Sequence, residues 1–165
     1  MKKLVLIRHA KSSWSDPRAA DFDRKLNKRG KRDAPFMAEK LGERGIRADL
    51  IVSSPAKRAK KTAQHMAKGV GYGAADICYD DNAYSFSASD LFGIVQKIDD
   101  RHETVFFVGH NHGITDFAEQ LTGTMLNNIP TAGIVCMTCK IPHWSEIRPG
   151  CAVLDFFDYP KKFLV

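Results

Sequence analysis

The chain has 165 residues, 44% of them hydrophobic, which is enough for one packed domain spanning 1–165 without disulfide or metal support. No run approaches the ~18–20 consecutive apolar residues that a membrane-spanning helix needs, so no such helix is expected. The net charge of +6 is uneven: residues 1–70 hold 19 Lys and Arg against 7 Asp and Glu, a net +12, and the remaining residues carry a net −6. The first half is therefore the half expected to face anions.

Hydrophobic runs and helical patterns alternate along the chain. This predicts an α/β fold: a three-layer α/β/α sandwich on a mostly parallel central sheet. Residues 4–7, Leu-Val-Leu-Ile, read as the first strand rather than an export signal, so a cytoplasmic, reducing location is expected. Asn27 is placed to cap a helix running to about residue 44, stopped by Gly45 and bent locally by Pro35. Residues 50–52 form a second strand, and Ser54 followed by Pro55 predicts an N-cap with proline at the first position of a helix to about residue 68. A turn over 69–73, a short strand at 76–79 and a helix capped by Ser89 and running to about residue 100 follow. Residues 104–108 are the clearest buried strand, after which Ile114, Phe117, Ala118 and Leu121 line one helical face. Strands near 133–140 and 152–157 complete the sheet.

Three polar clusters stand directly after predicted strands: Arg8-His9-Ala10-Lys11-Ser12, Ser53-Ser54-Pro55 with Arg58, and Gly109-His110-Asn111. In an open α/β sheet, ligands bind beyond the carboxyl ends of the strands, so the clusters are expected to converge on one site. Arg8 and Arg58 offer fixed, always-charged forks for phosphate oxygens. A neutral imidazole can attack phosphorus to form a phosphohistidine, and a second histidine can stabilise equatorial oxygens that gain charge in the transition state. Helix N-termini near Ser54 and His112 would add backbone donors. Ser12 and Asn111 are candidate substrate contacts beside these residues.

The same segments resemble the histidine phosphatase superfamily, which includes the phosphoglycerate mutases, and within it the small SixA-type phosphohistidine phosphatases. Residues 4–12 look like the Arg-His-Gly/Ala signature, residues 53–63 like the second-arginine signature, and Val108-Gly109-His110-Asn111 like the second-histidine segment. Asp21-Phe22-Asp23-Arg24 and Leu26-Asn27-Lys28-Arg29-Gly30 look like a stretch of the SixA-type subgroup. The resemblance implies a phosphoglycerate mutase-like fold without a cap domain. It also implies His9 as nucleophile, with Arg8, Arg58 and His110 binding the phosphoryl group. Ala10 replaces the commoner glycine, and His112, read as a helix-start residue, stands where many relatives have proline.

The mid-chain carboxylate acid of the mutases has no matching motif, and Asp80 and Asp81 are the nearest candidates. A missing acid favours a leaving group that needs no proton. Imidazole, with a pKa of ~6.5, is such a group and an alkoxide is not. Together with a chain too short for a cap, this points to protein phosphohistidine, on a carrier such as a histidine phosphotransfer domain, as substrate of a monomeric enzyme using no cofactor or metal. A small sugar or nucleotide phosphate is the alternative substrate. A non-catalytic phosphate or nucleic-acid binding module is the alternative of another class, but no aromatic residues interleave with the basic run. A metallohydrolase built on His110-x-His112 lacks a third ligand at suitable spacing. Cys136-x-x-Cys139 lies in a β-like run, so its thiols are expected on opposite faces of a strand rather than on one metal. Cys78 and Cys151 likewise read as free thiols.

Overall fold

The computed structural model describes residues 1–164. Six strands form one sheet: β1 (Lys2–Arg8), β2 (Leu50–Ser53), β3 (Cys78–Tyr79), β4 (Thr104–Gly109), β5 (Ile134–Cys139) and β6 (Ala152–Asp158), in the order β3-β2-β4-β1-β5-β6. The β1–β4, β2–β4 and β2–β3 pairs are parallel, whereas β5 runs antiparallel to both β1 and β6, so β5 alone is reversed.

Helices α1 (Lys28–Glu43) and α2 (Lys57–Val70) cover one face, and α3 (Ala88–Gln96) and α4 (Gly113–Thr122) cover the other. Strand β1 shows why the layers form. Leu4 and Leu6 pack into the α3–α4 side of the core, and Val5 and Ile7 into the α1–α2 side, all without solvent exposure. Side chains alternate across a strand, so a strand buried on both faces must be apolar at every position. Burying each of these four side chains contributes about 1.5–3 kcal/mol. Cys136 and Cys139 also fall on opposite faces of β5, in separate core clusters.

The helix ends show where local signals prevailed and where tertiary contacts displaced them. Asn27 caps α1 as expected, its side-chain oxygen accepting the Gly30 N–H at 2.9 Å, and Pro35 lies inside the helix without ending it. Helix α2 begins later than expected, with Ala56 rather than Ser54 at the N-cap position. The Ser54 hydroxyl is instead 2.8 Å from His110 Nε2 and accepts the Ala56 N–H. Helix α3 starts earlier, after Ser87 rather than Ser89, and stops at Gln96 rather than near residue 100. Asp100 is drawn elsewhere, accepting the Trp144 N–H at 2.7 Å.

Helix α1 is also seated against the segment that follows β1. The Lys11 carbonyl accepts the Asn27 N–H, and a Cβ added at Gly30 would lie 2.1 Å from that oxygen. A Cβ at Gly93 in α3 would meet nothing within 4 Å. The two positions should therefore respond oppositely to alanine. Gly93→Ala should stabilise the fold by about 0.5–1 kcal/mol, the intrinsic helix preference. Gly30→Ala should destabilise it by about 1–3 kcal/mol, because the backbone must shift. Urea unfolding midpoints of the two variants measure this sign reversal.

Candidate active site

Sheet register brings the three polar clusters together. Arg8 at the end of β1 pairs with Gly109 at the end of β4, and Ser53 at the end of β2 pairs with Val108. The chain continues the alignment past the strands: the His9 N–H donates to the Gly109 carbonyl, and the Ser54 N–H to that of Val108. On the other side, the Ala132 N–H donates to the carbonyls of Arg8 and His9. Ala132 holds this position with φ +61°, a left-handed conformation that costs a non-glycine residue of order 1 kcal/mol and that the surrounding packing maintains.

Hydrogen bonding decides the state of both imidazoles. The His9 Nδ1 lies 2.7 Å from the Ala10 carbonyl, which can only accept, so Nδ1 carries the proton and Nε2 keeps its lone pair. Arg58, only 3% exposed, donates through Nε to His9 Nε2 at 3.4 Å and through Nη2 to His110 Nδ1 at 3.3 Å. His110 accepts at Nδ1, so its proton is on Nε2 and points to the Ser54 hydroxyl. The two rings are 5.1 Å apart, centroid to centroid, with the Arg58 guanidinium contacting both.

A pocket of about 270 Å³ opens at this point, lined by residues that include Arg8, His9, Ser12, Asp21, Arg24 and Arg58. Arg8 donates through Nη1 to the Ile129 carbonyl at 2.8 Å, while its buried Nε has no partner among the described residues. Ser12 lines the pocket with its hydroxyl bonded to Arg24. Asn111 is employed differently from the substrate contact expected of it. Its amide nitrogen bonds Asn128 and Ile129 and its oxygen accepts from Thr115, so it braces the 128–129 turn and is not among the lining residues. Asp80 caps a single helical turn and lines a separate hollow with Asn82 and Asp90, and Asp81 lies on the surface, so neither carboxylate reaches the pocket. His112 occupies the N-cap position of α4, exposed, with Nε2 3.7 Å from Asp116.

The carboxylate that does reach the pocket is Asp21. It bonds Arg58 Nη2 at 3.0 Å, Arg24 Nη1 at 3.1 Å and the Tyr84 hydroxyl, and its backbone carbonyl accepts from Arg58 Nη1 at 2.6 Å. Arg24 is itself sandwiched under Trp14, 3.2 Å from the ring centroid. Tyr84 and Phe86 stand against the His110 ring at 5.3 and 5.4 Å. The spacing Asp21-x-x-Arg24 was visible in the sequence, though no role attached to it. Nothing in the sequence marked Tyr84 or Phe86, which arrive from the segment between β3 and α3.

Burial, with the neighbouring cations and the other imidazole, holds His9 down at about 3, and burial with Arg58 holds His110 at about 4. Partial burial opposes ionisation of Asp21, but hydrogen bonds from Tyr84 and Arg58 outweigh it and leave its pKa at about 2. The folded protein thus carries two neutral imidazoles that an unfolded chain would protonate below ~6.5. The unfolded state then binds more protons between pH ~6.5 and ~3, so stability should fall as pH drops through that window. Replacing His9 and His110 by Asn should flatten this slope, which denaturant titrations from pH 7.5 to 4 would read.

Residues 4–82 match the Histidine phosphatase superfamily (branch 1). The uncharacterised chloroplastic protein At3g52155 of Arabidopsis thaliana is 35% identical over 153 residues, covering 88% of this chain and 70% of the relative. A solved structure from Agrobacterium tumefaciens, assigned as the phosphohistidine phosphatase SixA, is 28% identical and superposes with a TM-score of 0.82 over 96% of this chain and 98% of that one. The protein histidine phosphatase SixA complexed with tungstate shares the fold at 16% identity, with a TM-score of 0.82 over 97% and 98% of the two chains. Both SixA structures align with nearly the whole chain, and among the described residues no further layer covers the strand ends. This phosphoglycerate mutase-like fold without a cap, shared with the SixA structures, and the matching family model and relative mean that the chain belongs to the histidine phosphatase superfamily.

Proposed function

We propose that this chain is a single-domain, metal-independent phosphatase that acts on protein phosphohistidine through a phosphoryl group carried on His9. The observation that carries this reading is the proton inventory of the pocket. Its one lining carboxyl, Asp21, is held ionised, and while no anion is bound both His9, which lines it, and His110, beside Arg58, are neutral. No lining carboxyl is poised to protonate an alkoxide as it leaves. A phosphorylated imidazole protonated at its far nitrogen departs as a neutral ring and needs no such donor.

His9 supplies the nucleophile. Its Nε2 lone pair forms the bond to phosphorus as the substrate's P–N bond breaks, and the substrate imidazole takes the electron pair. The Nδ1–H bond to Ala10 keeps His9 in the tautomer that can attack. It also keeps the far nitrogen protonated in the intermediate, so that attack by water releases a neutral His9 and the proton of water passes to phosphate or solvent. Arg8 and Arg58 neutralise the phosphoryl oxygens. A dianion beside His110 favours its protonation, so Nδ1 becomes a donor while Ser54 accepts from Nε2.

A protein substrate is favoured by the surroundings. The pocket mouth carries Trp14, 75% exposed, and the largely exposed Phe86. A second hollow is lined by Phe22, Asp23 and Pro55 together with Lys57, Lys60 and Lys61, so cations outnumber acids there. Exposed aromatic anchors beside a lysine cluster suit an acidic carrier, such as a histidine phosphotransfer domain, approaching an uncovered site.

Rapid acid-free quenching should trap phosphate on His9 as an acid-labile, alkali-stable adduct, and His9→Ala should lose nearly all turnover. Arg58→Ala should lower kcat/KM by on the order of 10²–10³-fold. Chelators should leave turnover unchanged. The kcat/KM ratio of a phosphohistidine protein to a sugar phosphate or phosphoserine peptide should exceed one, and should shrink as salt screens the lysines. A ratio below one at both low and high salt would assign the enzyme to small phosphomonoesters instead.

A further inference from the structure

Asp21 has four contacts in the site, and its side chain is 44% exposed on a single helical turn, Asp21–Asp23. An exposed ion pair on such a turn contributes little to stability, so the density of contacts calls for another explanation. Geometry supplies one. A guanidinium is a rigid plane whose five N–H bonds point in fixed directions. Asp21 takes one N–H from each terminal nitrogen of Arg58: Nη1 through its backbone carbonyl at 2.6 Å and Nη2 through its carboxylate at 3.0 Å. With those two bonds made, the plane is set. The remaining Nη2 N–H and the Nε N–H can only face His110 and His9, where they make the longer contacts of 3.3 and 3.4 Å. Those weak bonds to the rings are the ones an incoming phosphoryl oxygen can replace. The short bonds to Asp21 lie on the other edges of the plane.

We propose that Asp21 is a positioning residue: braced by Arg24 and Tyr84, it aims the Nε–Nη2 edge of Arg58 at the gap between His9 and His110. The brace is itself anchored, since Arg24 also bonds the Ser13 carbonyl and the Ser12 hydroxyl and stacks on Trp14. This inference rests on the reading of Arg58 as a phosphate ligand. It adds that a negative charge is kept beside an anion site because orientation in the transition state outweighs the repulsion it adds in the ground state.

Asp21→Asn, Asp21→Ala and Tyr84→Phe test the assignment with an activated aryl phosphate such as p-nitrophenyl phosphate, whose leaving group needs no acid. Inorganic phosphate and orthovanadate serve as competitive probes of the ground state and of the transition state. Asp21→Ala should lower kcat by on the order of 100-fold and raise the ratio of the vanadate to the phosphate inhibition constant. Asp21→Asn retains an acceptor for Nη2 and should fall between Asp21→Ala and the wild type. Tyr84→Phe should shift the ratio in the same direction by less. Two results overturn the inference: Asp21 variants with wild-type kcat and ratio, or a parallel loss of both inhibition constants together with a lowered melting temperature, which marks a structural role. If the wild type itself ignores vanadate and Arg58→Ala is fully active, the phosphate-site reading falls along with this one. If those controls respond and the Asp21 variants do not, this inference alone fails.

Discussion

A buried arginine organises this molecule. Arg58 is only 3% exposed, and a buried guanidinium is tolerated only when its donors are met by well-placed acceptors. The acceptors come from three separate parts of the chain, His9 after β1, the Asp21 turn and His110 after β4, and the Tyr84 hydroxyl donates to the Asp21 carboxylate from a fourth. Each must be in place for the others to make sense. The segment between β1 and α1 therefore folds back over the strand ends, closed by a bridge between Ser12 and Leu26 and packed around Arg24.

The charges left over make the pocket electropositive. Two arginines and Arg24 face a single carboxylate, and the imidazoles are kept neutral by burial and by those same cations. Helix α2 adds to the imbalance. Its first turn carries Lys57 and Arg58 and no acid, which opposes the helix dipole and is favourable only when an anion approaches that end. Keeping two buried imidazoles neutral costs the protein stability below neutral pH.

The sheet accounts for the rest of the placement. Parallel strands all deliver their carboxyl ends to one edge, so β2, β4 and β1, in that order at the centre of the sheet, present three neighbouring loops. The reversed strand β5 begins where β1 ends, and the turn before it supplies the Ala132 N–H that holds the Arg8 and His9 carbonyls. Without a cap, the pocket rim is left to side chains such as Trp14 and Phe86, which shape what can reach His9.

The alternation of apolar runs and helical faces determined the α/β class, because period-2 and period-3.6 burial leave different marks on the order of residues. Polar clusters directly after buried strands likewise made the meeting of Arg8, His9, Arg58 and His110 legible, since a parallel sheet brings such positions together whatever the details. Helix ends were less legible. Ser54 has the chemistry of an N-cap, but a hydrogen bond to His110, 56 residues away, claims its hydroxyl. Asn111 looked like a substrate contact from its position beside His110, yet Asn128 and Thr115 occupy its amide. The carboxylate was the largest gap: Asp80 and Asp81 were the nearest mid-chain candidates for an acid whose motif is missing, and the carboxylate the pocket holds is the ionised Asp21. A strand or a helix is written in neighbouring residues, but which carboxylate meets a buried guanidinium depends on how two distant loops close over the sheet, and only the tertiary structure decides that.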